Sequence, residues 1–156
     1  YNDINSGYIG TFANSLGTNS TYPAWYYAYQ YKNTVQVPQC SSGWYLPTSG
    51  QWWDIMANLG KADLSSFIGS TTTNEAVQYV SSATLSNINS YMTAISGGTA
   101  ISSGSWYWSS SQVTSIGAVY VELYDNSVCI SGAGDQYVKY GAGGFGLYKI
   151  RAIIAF

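Results

Sequence analysis

The sequence contains no histidine, and only 8% of its 156 residues are charged, far below the roughly one quarter typical of soluble domains. Without histidine the chain lacks the side chain that most often acts as general base or metal ligand. Only Glu122 and Asp125 among the seven carboxylates lie close together, where a turn would by itself favour Asp. A thiol nucleophile at Cys40 or Cys129 would have no imidazole partner. We therefore expect no enzymatic activity, no cofactor and no metal site.

Long apolar runs and clusters of positive charge are missing too. No uninterrupted apolar stretch approaches the roughly 20 residues of a membrane helix, and five dispersed Lys and Arg residues leave a net charge of −2. These features argue against membrane insertion of this domain and against nucleic-acid binding. The two cysteines permit at most one disulfide. Cys129 falls on the predicted outward face of its strand, which favours a free or partly exposed thiol.

Aromatic residues, by contrast, are abundant. Sixteen Tyr and six Trp are too many large side chains for a disordered chain, and 156 residues suit one domain spanning 1–156. With so few charges, solubility must depend on Ser, Thr, Asn, Gly and the tyrosine hydroxyls. Such a surface is typical of extracellular proteins, and we expect that location. Since the chain begins at Tyr1, we expect a processed chain or an excised domain.

Three helices are predicted from apolar spacing and from start and stop signals. The first follows Pro23 and covers 24–33. The second covers 51–59, where Thr48 and Gln51 form a capping-box pattern before a stripe of Trp52, Ile55, Met56 and Leu59, and Gly60 ends it. The third follows the stripe Leu85, Ile88, Met92 and Ile95. Residues 74–80 fit either a helical turn or a strand.

The last third of the chain predicts β-structure. Val119, Val121 and Leu123 alternate with polar neighbours, as a half-buried strand requires. A turn at 125–126 leads into a second strand, so that 118–131 form a hairpin. Residues 149–156 predict a largely buried terminal strand. The predicted outward face carries Tyr120, Glu122, Tyr124, Ser127, Cys129 and Ser131.

This outward set has the composition of an antibody paratope, in which Tyr supplies contact area and Ser and Gly adapt around it. The alternative is that exposed Tyr simply favours strands. Four tryptophans, Trp44, Trp52, Trp106 and Trp108, are assigned to the core. The predicted ligand contacts are Gln112, Thr114, Ser115, Tyr120, Glu122, Tyr124, Asn126, Ser127, Ser131, Gln136, Tyr137, Tyr140 and Tyr148.

Several motifs resemble, in order, those of one family. They are residues 44–48 (Trp-Tyr-Leu-Pro-Thr), 107–111 (Tyr-Trp-Ser-Ser-Ser) and 150–156 (Ile-Arg-Ala-Ile-Ile-Ala-Phe), with weaker likeness at 3–7, 22–24 and 87–91. They are similar to secreted and surface proteins of gut Gram-negative bacteria with a C-type-lectin-like fold. That family includes fimbrial tip adhesins and the variable proteins of diversity-generating retroelements, whose carboxy-terminal region is rewritten by mutagenesis. The matching region here would be about 108–156.

The resemblance implies an α+β, C-type-lectin-like fold. Two helices would flank a small antiparallel sheet, the two termini would pair, and residues 61–98 would form a helical insertion. The Glu-Pro-Asn, Gln-Pro-Asp and Trp-Asn-Asp motifs that hold Ca²⁺ in the sugar-binding branch are all missing, and Trp108-Ser109-Ser110 stands where the last of them would be. Calcium-dependent sugar binding is therefore not expected, although the fold is named for it.

Together these patterns predict an extracellular recognition or adhesion domain. It would be anchored to the outer membrane or associated with a pilus, and it would bind a protein or glycan on another cell or host surface. The alternative is a structural subunit of a surface fibre or pilus, whose aromatic residues contact other subunits.

Overall fold

The described part of the chain contains three α-helices and a four-stranded sheet, so the predicted α+β class is confirmed. The computed structural model describes residues 16–37, 39–65, 76–112, 118–133 and 148–154. The helices are α1 (Pro23–Gln30), α2 (Ser49–Asp54) and α3 (Ala83–Ala94). The strands are β1 (Ala76–Tyr79), β2 (Ser105–Gln112), β3 (Ala118–Leu123) and β4 (Ser127–Ala133).

Helix α1 begins at the position that its proline dictates. Pro23 stands in the first turn, where its missing N–H costs no hydrogen bond. The helix continues as a 3-10 turn over Tyr31–Asn33, so the predicted helix at 24–33 is confirmed with a tighter last turn. Trp25 and Ala28 point into the protein.

Helix α2 begins with the predicted capping box. The Gln51 N–H donates to Thr48 Oγ1 at 3.0 Å, and the Thr48 N–H donates to Gln51 Oε1 at 3.0 Å. After Asp54 the helix widens into a π-helix over Ile55–Leu59, and the Gly60 N–H donates to the Ile55 carbonyl at 3.1 Å. This widening was not predicted.

Gly60 ends the π-helix where two helices approach closely. A Cβ atom there would lie 2.5 Å from the Met56 carbonyl oxygen and 2.7 Å from Thr84 Cγ2 of α3. Only glycine fits this position without displacing its neighbours.

Helix α3 confirms most of the predicted stripe but not its end. Leu85 and Ile88 are buried and Met92 is half-buried, whereas Ile95 is 65% exposed. The difference arises because the helix ends at Ala94 and Ile95 is extended, so the helical period no longer applies. The amide of Asn89 holds the following segment, because it donates to the Ile101 carbonyl and accepts from the Ile101 N–H.

All four strands are antiparallel, in the order β1-β4-β3-β2. The predicted hairpin at 118–131 is confirmed as β3 and β4, joined by a turn in which the Tyr124 N–H donates to the Ser127 carbonyl. The ambiguous stretch 74–80 contains strand β1, which pairs with β4. Residues 61–98 thus contribute an edge strand to the sheet as well as a helix.

Both faces of the sheet pack against apolar residues, so the prediction that its hairpin is half-buried is wrong. One face carries Tyr107, Val121 and Leu123 against α2 and α3, through a core that includes Trp52 and Ile88. The other face packs on α1. That second core contains Trp25, Ala28, Leu46, Trp108 and Ala118, with Tyr120, Tyr148, Ile150 and Ala152 partly buried around it.

The terminal segment 148–154 is held by two isolated β-bridges and does not form a continuous strand. Lys149 forms a parallel bridge with Tyr107, and Ile153 forms an antiparallel bridge with Tyr45. Residues 150–154 are half-buried, less than the predicted buried strand. The predicted pairing of the two termini lies outside the described residues, because the description begins at residue 16.

Candidate functional site

Four aromatic rings meet on the sheet face that packs on α1. We call Trp106, Trp108, Tyr120 and Tyr148 the aromatic cluster. Tyr148 is its centre, with ring centroids 4.5 Å from Trp108, 5.0 Å from Trp106 and 5.0 Å from Tyr120. Trp106 and Tyr120 are 5.9 Å apart. These separations fall in the range in which aromatic pairs attract each other.

Strand pairing fixes the positions of these rings. Trp108 lies directly opposite Tyr120 in the register of β2 and β3, so their side chains share a face. Two backbone hydrogen bonds bring Tyr148 to them: the Trp108 N–H donates to the Lys149 carbonyl, and the Lys149 N–H donates to the Trp106 carbonyl. The Trp52 indole N–H also donates to the Trp108 carbonyl, from the opposite face. The cluster is therefore held by two cores at once.

The electrostatics of the cluster oppose ionisation of Tyr148. Burial, and to a lesser degree the neighbouring Tyr120 and Glu122, together raise the pKa of its phenol to about 12. Tyr148 stays neutral at physiological pH and keeps a hydroxyl able to donate a hydrogen bond.

The predicted contact residues of strands β3 and β4 are less exposed than the alternation implied. Glu122 and Ser127 are buried, with exposures of 8% and 9%, and Tyr120 and Tyr148 are half-buried in the aromatic cluster. Tyr120 and Tyr148 were expected to show their rings to solvent, and they do so only in part. The physical reason is the second core, which gives the supposed outer face of the sheet apolar partners.

The hairpin turn reaches solvent as predicted. Tyr124 is 40% exposed, and Asp125 and Asn126 are exposed beside it. The turn stands at the end of two strands that are buried on both faces, so its backbone is well supported.

Two of the other predicted contacts, Gln112 and Ser131, lie in strands β2 and β4, where the structure describes their backbone. The remaining five lie outside the described residues: Thr114, Ser115, Gln136, Tyr137 and Tyr140.

Two tryptophans of the cluster were assigned to the core and so were missed as part of the site. Trp108 is buried as predicted, but Trp106 is only half-buried, as is Trp44, whereas Trp52 is fully enclosed. The spacing of Trp106 and Trp108 did carry a signal, since residues two apart in a strand share a face. Their partner strand could not be identified from spacing alone.

The chemistry of the described residues offers neither a metal site nor a disulfide. No group of three or more Asp, Glu or Cys residues able to hold a metal occurs among them. Neither Cys40 nor Cys129 forms a disulfide, and the first is exposed and the second buried. Cys129 is thus a thiol outside any disulfide, as favoured, but it is not partly exposed. No helix in the described ranges is long and apolar enough to span a bilayer.

Arg151 links two segments of the chain. Its guanidinium donates to the Thr99 carbonyl at 3.1 Å and to the Thr99 hydroxyl at 3.4 Å. It thereby ties the terminal segment to the loop after α3.

Comparison of the chain with family models, curated proteins and solved structures gave no match. The α+β class and the geometry above therefore carry the functional argument.

Proposed function

We propose that the chain is a non-enzymatic recognition domain that acts at the cell surface or at a pilus tip. Its frame would be C-type-lectin-like, and it would bind a protein or glycan through the carboxy-terminal part of the sheet, as in variable proteins of diversity-generating retroelements. The observation that carries this proposal is the aromatic cluster, built on strands held by two cores.

Rigid aromatic surfaces suit recognition for a physical reason. Tyr and Trp offer large contact areas but have only two side-chain torsions to freeze, so little conformational entropy is lost when a ligand binds. Here Trp106, Tyr120 and Tyr148 are half-buried and locked against each other. Part of the ordering has therefore already occurred during folding.

The hairpin turn at the end of β3, the strand that carries Tyr120, adds groups that are exposed to solvent. Tyr124 and Asn126 combine an aromatic ring with an adaptable amide, the mixture that paratopes use. If the ligand contacts the turn, the buried Glu122 and Ser127 would support the turn from below and would not touch the ligand. The contact set thus becomes smaller than the one predicted from sequence.

The test is a binding measurement that leaves the cores intact. The purified domain would be screened on a glycan array and against a displayed library of protein fragments, and the selected binder would then be titrated. The double variant Tyr124→Ser, Asn126→Ala should weaken that binding about tenfold or more, which corresponds to about 1.4 kcal/mol. Its free energy of unfolding should change by less than about 0.5 kcal/mol.

Tyr91→Ser is the matched control, because Tyr91 is another exposed tyrosine, on α3. Binding that survives the double variant, or that Tyr91→Ser weakens equally, would refute the assignment. The alternative, a structural fibre subunit, predicts that the scattering mass of the isolated domain grows with concentration.

A further inference from the structure

Four of the six large apolar side chains that are exposed among the described residues line one cleft. The six are Tyr27, Tyr31, Val35, Tyr91, Ile95 and Tyr124, and all except Tyr91 and Tyr124 border this cleft. The cleft encloses about 1050 Å³ between α1, the π-helix, the loop after α3 and the terminal segment. Concentration of exposed apolar groups around a concavity is a mark of a binding site.

The π-helix shapes one wall of the cleft. Ile55 and Leu59, the first and last residues of that helix, both line it. π-Helices are rare, and they are frequently found at functional sites. This wall is therefore a candidate contact surface.

The cleft also carries positive charge. Lys149 and Arg151 both line the cleft, and they are two of only five Lys and Arg residues in a chain of net charge −2. Lys149 donates to the Ser105 hydroxyl at 2.7 Å, and Arg151 donates to Thr99. Within the described ranges neither cation has a carboxylate partner, so their charge is not neutralised there.

The lining selects among ligand classes. Ile55, Leu59 and Ile95 give the cleft apolar walls, which fit aliphatic or aromatic peptide side chains. A carboxylate would pair with the Arg151 guanidinium, whose hydrogen-bond partner Thr99 also lines the cleft. Asp54, on the α2 side, would repel that carboxylate and so fix the direction of the ligand.

We propose that this cleft is a second binding site, which takes a partner-protein segment with one or two apolar side chains followed by an acidic residue. It is separate from the aromatic cluster and hairpin turn that carry the proposed function, and neither site requires the other. The Arg151 guanidinium, held in place by Thr99, receives the acidic side chain, and Ile95 covers the apolar one.

The probes are three acetylated, amidated tripeptides, Leu-Phe-Glu, Leu-Phe-Gln and Leu-Phe-Lys, titrated into isotope-labelled domain and followed by amide chemical shifts. The Glu peptide should bind about threefold to tenfold more tightly than the Gln peptide, and the Lys peptide most weakly. The shifted amides should surround Ile55, Ile95 and Arg151.

Matched variants separate the two parts of the site. Ile95→Ser should weaken all three peptides about tenfold or more, since an apolar side chain loses its cover, while Tyr91→Ser should leave them unchanged. Arg151→Gln should abolish the preference for Glu over Gln. Lys149→Gln should reduce that preference as well. Because Lys149 is exposed, this variant should fold normally and still tests the role of positive charge if the Arg151 variant misfolds.

Three outcomes would overturn the proposal: equal affinity for the three peptides, shifted amides remote from the cleft, or dimerisation that Ile95→Ser abolishes. The last would assign the cleft to a second copy of this chain. The double variant Tyr124→Ser, Asn126→Ala should bind the peptides normally, so failure here is distinguishable from failure of the proposed function.

Discussion

The ring of Tyr148 lies 4.5 Å from the indole of Trp108 and at 66° to it, an edge-to-face contact. The pKa of Tyr148 is raised from its ordinary 10.0 to about 12. Burial is the largest cause, and the electrostatic effects of Tyr120 and Glu122 act in the same direction. Between these values the unfolded chain releases the phenol proton while the folded chain retains it. Stability should therefore fall as pH rises from about 10 towards about 12.

The variant Tyr148→Phe should lose less stability over that alkaline range than the parent chain. Urea unfolding at a series of pH values measures this, with Tyr91→Phe as a control at an exposed tyrosine. A parallel loss of stability in the parent and in Tyr148→Phe would contradict the assigned pKa.

Two isoleucines of the α3 region offer a matched pair. Ile88 is fully buried and Ile95 is 65% exposed. Ile88→Ala should cost about 2–5 kcal/mol of unfolding free energy, because it leaves a cavity in the core. Ile95→Ala should change it by less than about 0.5 kcal/mol. Chemical denaturation measures the unfolding free energy of both variants. A similar loss in the two would show that the buried stripe extends to Ile95, as the sequence predicted.

The capping box of α2 is tested by Thr48→Ala. The substitution removes the acceptor for the Gln51 N–H and should cost about 1 kcal/mol. Thr48→Ser retains the oxygen and should recover most of this loss, apart from the buried methyl group. Equal destabilisation by Ala and Ser would attribute the effect to packing of the methyl group instead of to the cap.

Asn89 joins α3 to the segment that leads into β2. Its amide makes both a donated and an accepted hydrogen bond with the backbone of Ile101, at 2.9 and 2.7 Å. Asn89→Ala leaves both partners unsatisfied and should cost about 1–3 kcal/mol. Hydrogen exchange at the Ile101 amide should accelerate in this variant, and unchanged exchange there would show that the bond does not protect it.

The two thiols should react at different rates. Cys40 is exposed and Cys129 is buried, so a thiol reagent should modify one cysteine rapidly in the native protein and both in denaturant. Cys40→Ser should abolish the rapid phase. A native protein with no reactive thiol before reduction would indicate a disulfide instead.

Helix positions could be predicted from the sequence because their signals are local. Thr48, Gln51 and Gly60 mark the ends of a helix through chemistry that involves neighbours only. The hairpin was predictable for the same reason. For strand β1 the sequence fitted a helical turn equally well, because residues 76–79 become a strand through pairing with β4, which local spacing does not show.

The candidate site was harder to predict, since its exposure depends on which elements cover the sheet. Alternation placed Tyr120 and Glu122 on one face correctly, but it could not show that α1 packs on that face. No local sequence signal marks the π-helix or the cleft that it lines. Apolar period alone cannot distinguish a π-turn from the end of an α-helix.

The two bridges of residues 149–153 bear on the order in which the molecule can assemble. One bridge joins this segment to Tyr45 and the other to Tyr107. Such contacts between residues distant in sequence slow folding. Until this stretch has left the ribosome, Leu46 and Trp108 lack part of their cover. A nascent chain halted before residue 149 should therefore be cut by protease where the finished protein resists.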